Sequence, residues 1–529
     1  MTQKIQLTLD FAQDLQTYLR EYYPQVTNFR VVSKSLDARG SNRGRRPVFQ
    51  YTIEATSDHQ QLTEEKIHFP KLTKKIERPI IVGAGPAGLF CALRLLDYGV
   101  PSIIIERGSS TNQRMRSIAK FWRYGVLNPD DNVCFGEGGA GLYSDGKLIT
   151  RIKSPHIPVI MQRLVEFGAP AETAYLSNPH LGSNKIRAII ARMSEYLREG
   201  GCEIHHNSKV VDLLVKEKNV YGVELADGRR LEAPAVFLAA GHSAHDVYQI
   251  LLKHNVAMTA KDFAVGVRME HPRRLIDKIQ HGDFCQSSEL GAARYRLSWH
   301  DVSVERGSYS FCMCPGGHVL SSGTDNNGLV TNGMSNFARS SPWSNAALVV
   351  SVQAERDFKS GADQLGGMHF QRALEMRAYE FSRSHATGRE IPSQRIDDFL
   401  SKAGKQRKLP VSSCPSGLVP ADLHQILPDF VARQLHQALA KFERQMPGLV
   451  GEQGLLLAPE TRTSSPLTVL RHKENLESTT HFNLYPAGEG AGHAGGITSA
   501  AVDGVKVAMA FLAKIAPDVV ASDLKSINS

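Results

Sequence analysis

The sequence predicts an α/β fold: a Rossmann-like domain that binds an adenine dinucleotide, split by an inserted mixed α+β domain, with a small α+β domain ahead of both. Three observations point there. Residues 80–108 form a strand, glycine turn, helix, strand and acid in that order. A second strand, glycine turn and helix lies near the other end, at 482–512. Between them, 255–455 loses the spacing of short apolar strands and amphipathic helices. The expected domains are therefore 1–75 (N-terminal), 76–254 (dinucleotide-binding, first part), 255–455 (substrate or cap domain) and 456–529 (dinucleotide-binding, returning part).

The first unit justifies itself residue by residue. Ile80, Ile81 and Val82 make a short apolar strand, with Pro79 at its edge. Gly83-Ala84-Gly85-Pro86-Ala87-Gly88 follows, then a helix with Leu89, Ala92, Leu95 and Leu96 at helical spacing, closed by Tyr98-Gly99. Gly83 permits the tight turn, Gly85 lets a pyrophosphate approach bare backbone, and Gly88 lets helix and sheet pack closely. The helix N-terminus offers N–H groups and positive dipole density to phosphates. The strand 103–105 ends in Glu106, expected to accept both hydrogen bonds of an adenosine ribose and to repel a 2′-phosphate. FAD or NAD fits this site; NADP fits poorly.

Composition bounds the class. The chain has 529 residues, 42% hydrophobic and 22% charged, with a net charge of +9. Those values suit a large soluble protein with an anionic cofactor or substrate better than a dedicated nucleic-acid binder. No apolar run approaches the ~20 residues that span a bilayer, and residues 1–7 alternate like a strand without a signal-peptide core. A cytoplasmic location and no membrane partner are expected. Seven scattered cysteines argue against a disulfide framework. Cys312 and Cys314 would share one face of a strand, and without a second Cys/His pair nearby they read as buried structural thiols rather than a metal or redox pair. No metal site is expected.

Residues 1–75 read as a β-α-β-β module: an alternating strand with Ile5, Leu7 and Leu9, a helix over 11–22, and strands over 29–33 and 48–55. The loop 37–46, with Arg39, Arg43, Arg45 and Arg46, is a solvated hairpin tip that could hold an anion or RNA. A linker at 71–78 leads to the dinucleotide strand. The stretch 135–148 carries so many glycines, Gly138 and Gly139 among them, that its backbone is expected to run close to a ring or phosphates. A helix over 182–201 precedes strands at 202–205, 209–215, 220–225 and about Leu231, which lead into the apolar strand before Ala239-Ala240-Gly241. Within 255–455, the pieces 266–272, 309–317 and 331–335 read as strands and loops and 430–442 as a helix. In the last unit Glu489 could accept from ribityl hydroxyls, and Gly495-Gly496-Ile497 could aim N–H groups at the flavin N1/O2 edge.

Several longer runs are distinctive: FGEGGAGLYSDGKL (135–148), FAVGVRMEHP (263–272), YSFCMCPGG (309–317), TNGMS (331–335), ETRTSSP (460–466) and YPAGEGAGHAGGITSAAVDG (485–504). On these the chain resembles a bacterial, uncharacterised family of FAD-dependent dehydrogenases, or NAD(P)/FAD-dependent oxidoreductases. The elements at 80–107, 235–243 and 483–512 resemble the glutathione-reductase-type FAD fold. It departs from the family pattern at His493, where an aromatic is usual, and at Leu142-Tyr143, where a Thr-Phe pair is usual.

The resemblance implies bound FAD and hydride transfer between a small-molecule substrate and flavin N5. The cofactor set it points to is Gly83, Ala84, Gly85, Pro86, Ala87, Gly88, Glu106, Arg107, Gly138, Gly139, Val211, Ala240, Gly241, Gly488, Glu489, Gly495, Gly496 and Ile497. Near the ring, Asp145 and Lys147 are candidates for proton handling, Arg462 for anchoring an anionic group and His493 for either. No second strand, GxGxxG and helix unit offers NAD(P)H a site of its own, so a nicotinamide binds transiently or a redox protein or the substrate supplies the electrons. Two alternatives stand beside this reading: an FAD-dependent RNA-modifying protein that uses the 39–46 arginines, and a flavin-bound electron-transfer or sensor protein.

Overall fold

The computed structural model describes residues 2–57, 62, 69–72, 74–358, 363–401 and 407–520. Part of the expected 1–75 domain and residue 73 of the linker lie outside the described residues.

Short apolar strands build a five-stranded parallel sheet. Its order is Leu484–Pro486, Val236–Leu238, Ile80–Val82, Ile103–Ile105, Glu203–His205. Strand alternation sends Ile81, Ile104, Phe237 and Tyr485 into one core with the helices Pro86–Asp97, Gly182–Glu199 and Ile497–Ile515. It sends Ile80, Val82, Ile105, Val236, Leu238 and Leu484 into another, against the antiparallel hairpin Val210–Lys216 and Asn219–Leu225 and the helix His245–Lys253. Cover on both faces is why these strands read as unbroken apolar runs.

A seven-stranded sheet fills the middle of the chain, in the order Ser298–Asp301, Arg306–Cys314, Trp343–Val352, Phe263–Pro272, Leu455–Glu460, Ile391–Arg395, Leu418–Pro420. Its neighbours are antiparallel except the last pair. The helices Gly366–His385 and Asp429–Gln445 share its apolar core. The strand Leu455–Glu460 pairs with Phe263–Pro272, so this sheet runs past residue 455, where the sequence placed the boundary. Leu455–Glu460 is apolar and buried throughout, a pattern that a central strand of either sheet would show.

At the N-terminus, Thr2–Asp10, Val48–Thr56 and Asn28–Asp37 form an antiparallel sheet in that order. The helix is Leu15–Tyr22 rather than 11–22: Asp14 caps it by accepting from the Thr17 N–H at 2.8 Å, and residues 11–13 form a turn instead. This unit is docked on both sides. The Phe11 ring meets Phe284 edge-on at 5.7 Å, Ser41 Oγ donates to the Gln280 carbonyl at 3.1 Å, and Lys34 exchanges backbone hydrogen bonds with Tyr175 and Ser177, each 3.0 Å. Two of the loop arginines are committed internally: Arg39 to Asp37 at 2.7 Å and Arg46 to Asp10 at 2.6 Å. Among the described residues no helix is long and apolar enough to cross a membrane.

Candidate functional site

Four glycine-bearing turns meet at the carboxyl ends of the parallel strands. Gly83 has φ 104, and a Cβ there would lie 2.4 Å from the Ala239 carbonyl oxygen, so the first turn rests on the 239–241 turn. A Cβ on Gly88 would lie 1.9 Å from the Gly83 oxygen, which is the close helix–strand packing the third glycine was expected to allow. Gly138 N–H donates to the Ala84 carbonyl at 2.8 Å, and a Cβ on Gly139 would sit 3.1 Å from Gly85 Cα, which lays the 135–148 loop against the same turn. From the far end of the chain, a Cβ on Gly490 would come within 2.7 Å of the Gly241 backbone, one on Gly488 within 2.8 Å of Ala87, and one on Gly504 within 2.0 Å of the Ala87 carbonyl oxygen.

The space these turns enclose suits a dinucleotide. A Cβ on Gly241 or Gly495 would meet nothing within 4 Å, and one on Gly85 only Gly139 Cα at 3.9 Å. At those positions bare backbone borders open space, which leaves room for a ligand to approach it. The helices Pro86–Asp97 and Ile497–Ile515 both begin here at glycine N-caps without a side-chain cap, so their first N–H groups and dipoles face the enclosed space. Beside the 239–241 turn, buried His245 Nε2 has no hydrogen-bond partner among the described residues. Burial, followed by the Arg462 charge, pulls His245 down to about 3 and keeps it neutral. The residues present thus fit FAD.

Individual cofactor candidates are placed as follows. Glu106 is buried and accepts from three backbone N–H groups: Ala84 at 2.8 Å, Gly108 at 3.0 Å and Gly136 at 2.9 Å. A carboxylate has about four lone-pair sites, so Glu106 has room for one ribose hydroxyl, not the two expected. Arg107 is engaged too, with Asp246 at 2.9 Å and the Phe135 ring at 4.3 Å. The strand register skips Val211, and its side chain is 40% exposed, so only its backbone can serve a ligand. Ala240 lies in the turn between Ala239 and Gly241, and Pro86 opens the first helix. Gly488 N–H donates to Asp503 Oδ2 at 2.7 Å, and Gly495 N–H to Ser499 Oγ at 3.1 Å. Gly496 caps the returning helix, and Ile497 packs 3.2 Å from the Cβ position of Gly141. Glu489 is pushed up to about 7 by burial, against the pull of Lys261, and lies 3.6 Å from His242.

The four catalytic candidates are corrected by their partners. Asp145 is buried and grips Arg339, with one contact at 3.0 Å, and Ser335, with Lys147 at 3.7 Å. Burial pushes its carboxyl up, but Lys147 and Arg339 outweigh that and hold it below the usual range. Asp145 is therefore a fixed anion that ties the glycine-rich loop to 335–339, not a proton carrier. Lys147 Nζ donates to the Met313 carbonyl. Arg462 is spent on a bidentate pair with Glu375 at 3.0 and 2.8 Å and on Thr324 at 2.8 Å, so it cannot also anchor a substrate. His493 Nε2 bonds to the Val469 carbonyl at 3.0 Å, and burial followed by the Arg471 charge lowers its pKa, so the ring is a neutral structural donor.

Sequence reasoning missed three features. Arg114 is fully buried and donates to the carbonyls of Asn132, Val133, Gly136 and Glu137 at 2.7 to 3.2 Å, which shapes the glycine-rich loop from beneath. No motif marks it. His180 stacks on Phe337 at 5.3 Å and is drawn down to about 4 by burial and then by Arg339. Arg294 is exposed to solvent and makes no ion pair with a described residue, yet burial and then Arg339 pull it down to about 10. Arg294 shares a cationic group with Arg339 and Lys147, beside His180, and Asp145 is the counter-charge. Among the described residues no group of three or more His, Cys, Asp or Glu could hold a metal ion.

The family described as "FAD-dependent protein, C-terminal domain-like" matches residues 262–463, and that described as "FAD binding domain" matches 78–120. An uncharacterised protein of Clostridium beijerinckii is 38% identical over 499 residues, 91% of this chain and 92% of that one. Protein FixC of Escherichia coli K12 is 26% identical over 209 residues, 39% of this chain and 46% of FixC, so the chain spans less than half the length of that relative. Among solved structures, a mutant of the halogenase PltM in complex with FAD aligns over 85% of this chain and 71% of its own at 9% identity, with a TM-score of 0.37, too low to carry any argument.

Proposed function

Since this chain belongs to the bacterial family of FAD-dependent oxidoreductases, we propose that it is a dehydrogenase acting on a small molecule that bears an anionic group. Bound FAD supplies a hydride acceptor at its isoalloxazine N5. The chain supplies position and field. The N-termini of Pro86–Asp97 and Ile497–Ile515 orient the two ends of the cofactor, Glu106 takes one ribose hydroxyl, and Glu489 takes ribityl hydroxyls. Arg294, with Lys147 and His180 beside it, draws in the substrate's anionic group.

The observation that carries this reading is the cationic group Arg294, Arg339 and Lys147 around the single carboxylate of Asp145, with Arg294 left unpaired among the described residues. An unpaired guanidinium open to solvent is free to take an anionic group in a bidentate pair. The test is anaerobic photometry of the oxidised holoprotein with NADH, NADPH and a panel of carboxylates and phosphate esters. The expected result is bleaching by an anionic compound, in competition with inorganic sulfate. Failure of every compound to bleach the flavin would sink the dehydrogenase reading, and bleaching that sulfate does not slow would sink the anion site.

A further inference from the structure

Backbone strain collects at a corner of the molecule away from the cofactor turns. Nine described residues other than glycine have positive φ. Four of them, Glu217 (φ 50), Lys218 (φ 65), Leu476 (φ 56) and Asn483 (φ 60), line one cavity or directly adjoin its lining. Asparagine tolerates that conformation, whereas glutamate, lysine and leucine adopt it at a cost. Glu217 and Lys218 are the two-residue loop of the hairpin Val210–Lys216 and Asn219–Leu225. A loop of that length favours Asn-Gly or Asp-Gly. Such strain gathers at ligand sites, where a side chain is needed that the backbone alone would not select.

The cavity holds about 220 Å³. Lys218 lines it from the hairpin, and His472, Ser478, Thr479, His481 and Phe482 line it from the loop that precedes the strand Leu484–Pro486. The two walls are joined by hydrogen bonds. Phe482 N–H donates to the Lys218 carbonyl at 2.9 Å, Val220 N–H to the Phe482 carbonyl at 3.1 Å, and Asn483 Nδ2 to Asn219 Oδ1 at 2.7 Å. Phe482 is therefore fixed by paired backbone, yet it is 63% exposed. The lining is cationic. Its one carboxylate, Glu477, is spent on the Asn483 N–H at 2.7 Å and on Lys514 at 2.8 Å. The side chains of Lys218 and His472 make no hydrogen bond or ion pair with a described residue. The cavity lies at the amino end of Leu484–Pro486, while the cofactor turn follows its carboxyl end, so the two sites are separate.

We propose that this cavity is a second ligand site, which takes a small organic anion bearing one aromatic ring. Lys218 meets the charge, the hydroxyls of Ser478 and Thr479 meet the remaining oxygens, and the Phe482 ring packs on the ring of the ligand. Drug-sized ligands occupy roughly 300–1,000 Å³, so the smaller volume here suits a single ring with one charged group. The site uses none of the groups assigned to the cofactor or to Arg294, so it stands or falls separately from the substrate reading.

Calorimetric titration of the holoprotein, with its cofactor space filled, is the test. Benzoate or phenyl phosphate should bind, and the tighter of the two identifies the head group as carboxylate or phosphate. Acetate, inorganic phosphate and benzamide, which lack either the ring or the charge, should bind at least about tenfold more weakly. Lys218→Gly removes the cation and relaxes the left-handed backbone. It should melt higher than wild type, which shows that it folds, and bind the ring anion at least about tenfold more weakly. Arg294→Leu, which disables the other anion site, should leave this binding in place. The proposal is overturned if neither ring anion binds wild-type protein, if benzamide binds as well as benzoate, if Lys218→Gly melts no higher or keeps the binding, or if Arg294→Leu abolishes it.

Discussion

Gly504→Ala tests whether the two ends of the chain close over the cofactor as described. Gly504 lies in Ile497–Ile515, and a Cβ there would stand 2.0 Å from the Ala87 carbonyl oxygen, 2.8 Å from Ala87 C and 3.0 Å from Ala87 Cα. All three atoms are backbone, so nothing flexible can yield. Reaching an ordinary contact of about 3 Å requires the two helices to part by about 1 Å, at the turn proposed to hold the cofactor. Helix propensity alone favours alanine by about 1 kcal/mol, whereas overpacking costs about 1–3 kcal/mol. The structure therefore predicts a change of sign: a substitution that should stabilise an isolated helix instead destabilises the apoprotein and weakens FAD binding about tenfold to a hundredfold. Apoprotein titrated with FAD, followed by loss of flavin fluorescence, and thermal melts of the apoprotein provide the measurement. Gly451→Ala is the control, since a Cβ there meets nothing within 4 Å. A Gly504→Ala protein that melts higher than wild type and binds FAD equally well would refute the packing.

Three further outcomes follow from the site. Glu489 is raised from 4.5 to about 7 by burial, so the folded apoprotein keeps a proton that the unfolded chain releases. That stability is full below pH 4.5 and is lost as pH rises through 7, at most about 3 kcal/mol and nearer 1–2 given a side chain 25% exposed. Melts across that range should fall more steeply for wild type than for Glu489→Gln, and equal slopes would count against it. Glu375→Gln leaves buried Arg462 without its charged partner and should cost about 3–5 kcal/mol in denaturant unfolding; under 1 kcal/mol would show the pair is not buried as described. Arg294→Leu should weaken the perturbation of the flavin spectrum by inorganic sulfate about tenfold or more while leaving FAD affinity unchanged, and an unaltered sulfate response would remove Arg294 from the anion site.

What could be read from sequence was local. The strand, turn, helix and acid at 80–106 lie within one stretch, where Gly83 makes the tight turn and Gly88 the close packing that their spacing implies. The returning unit at 484–515 was readable for the same reason. The catalytic candidates were not, because their character is set by partners far along the chain. Asp145 meets Arg339 across 194 positions and Arg462 meets Glu375 across 87. A charged residue in a glycine-rich loop looks available until its counter-ion is placed, and periodicity does not place it. Arg114 was invisible on the same principle, since its acceptors are backbone carbonyls, which every residue carries. The strand Arg306–Cys314 breaks at Cys312, which is partly exposed where both thiols were expected to be buried, and the break was hidden because a regular strand and a broken one share the same alternation.

The parallel sheet gains its edge strand, Leu484–Pro486, beside Val236–Leu238. Every residue pair in that ladder is 248 positions apart. During synthesis the earlier strands must wait with an open, apolar flank while the whole intervening sheet is made, a wait of about 10–50 s at ordinary elongation rates of ~5–20 residues per second. Such an edge invites pairing with another nascent chain. The cofactor cannot shorten the exposure if, as proposed, half of its grip lies on the returning unit, which is made only after that sheet. Truncation between Glu460 and Leu484 should therefore yield not a weaker flavoprotein but an insoluble one.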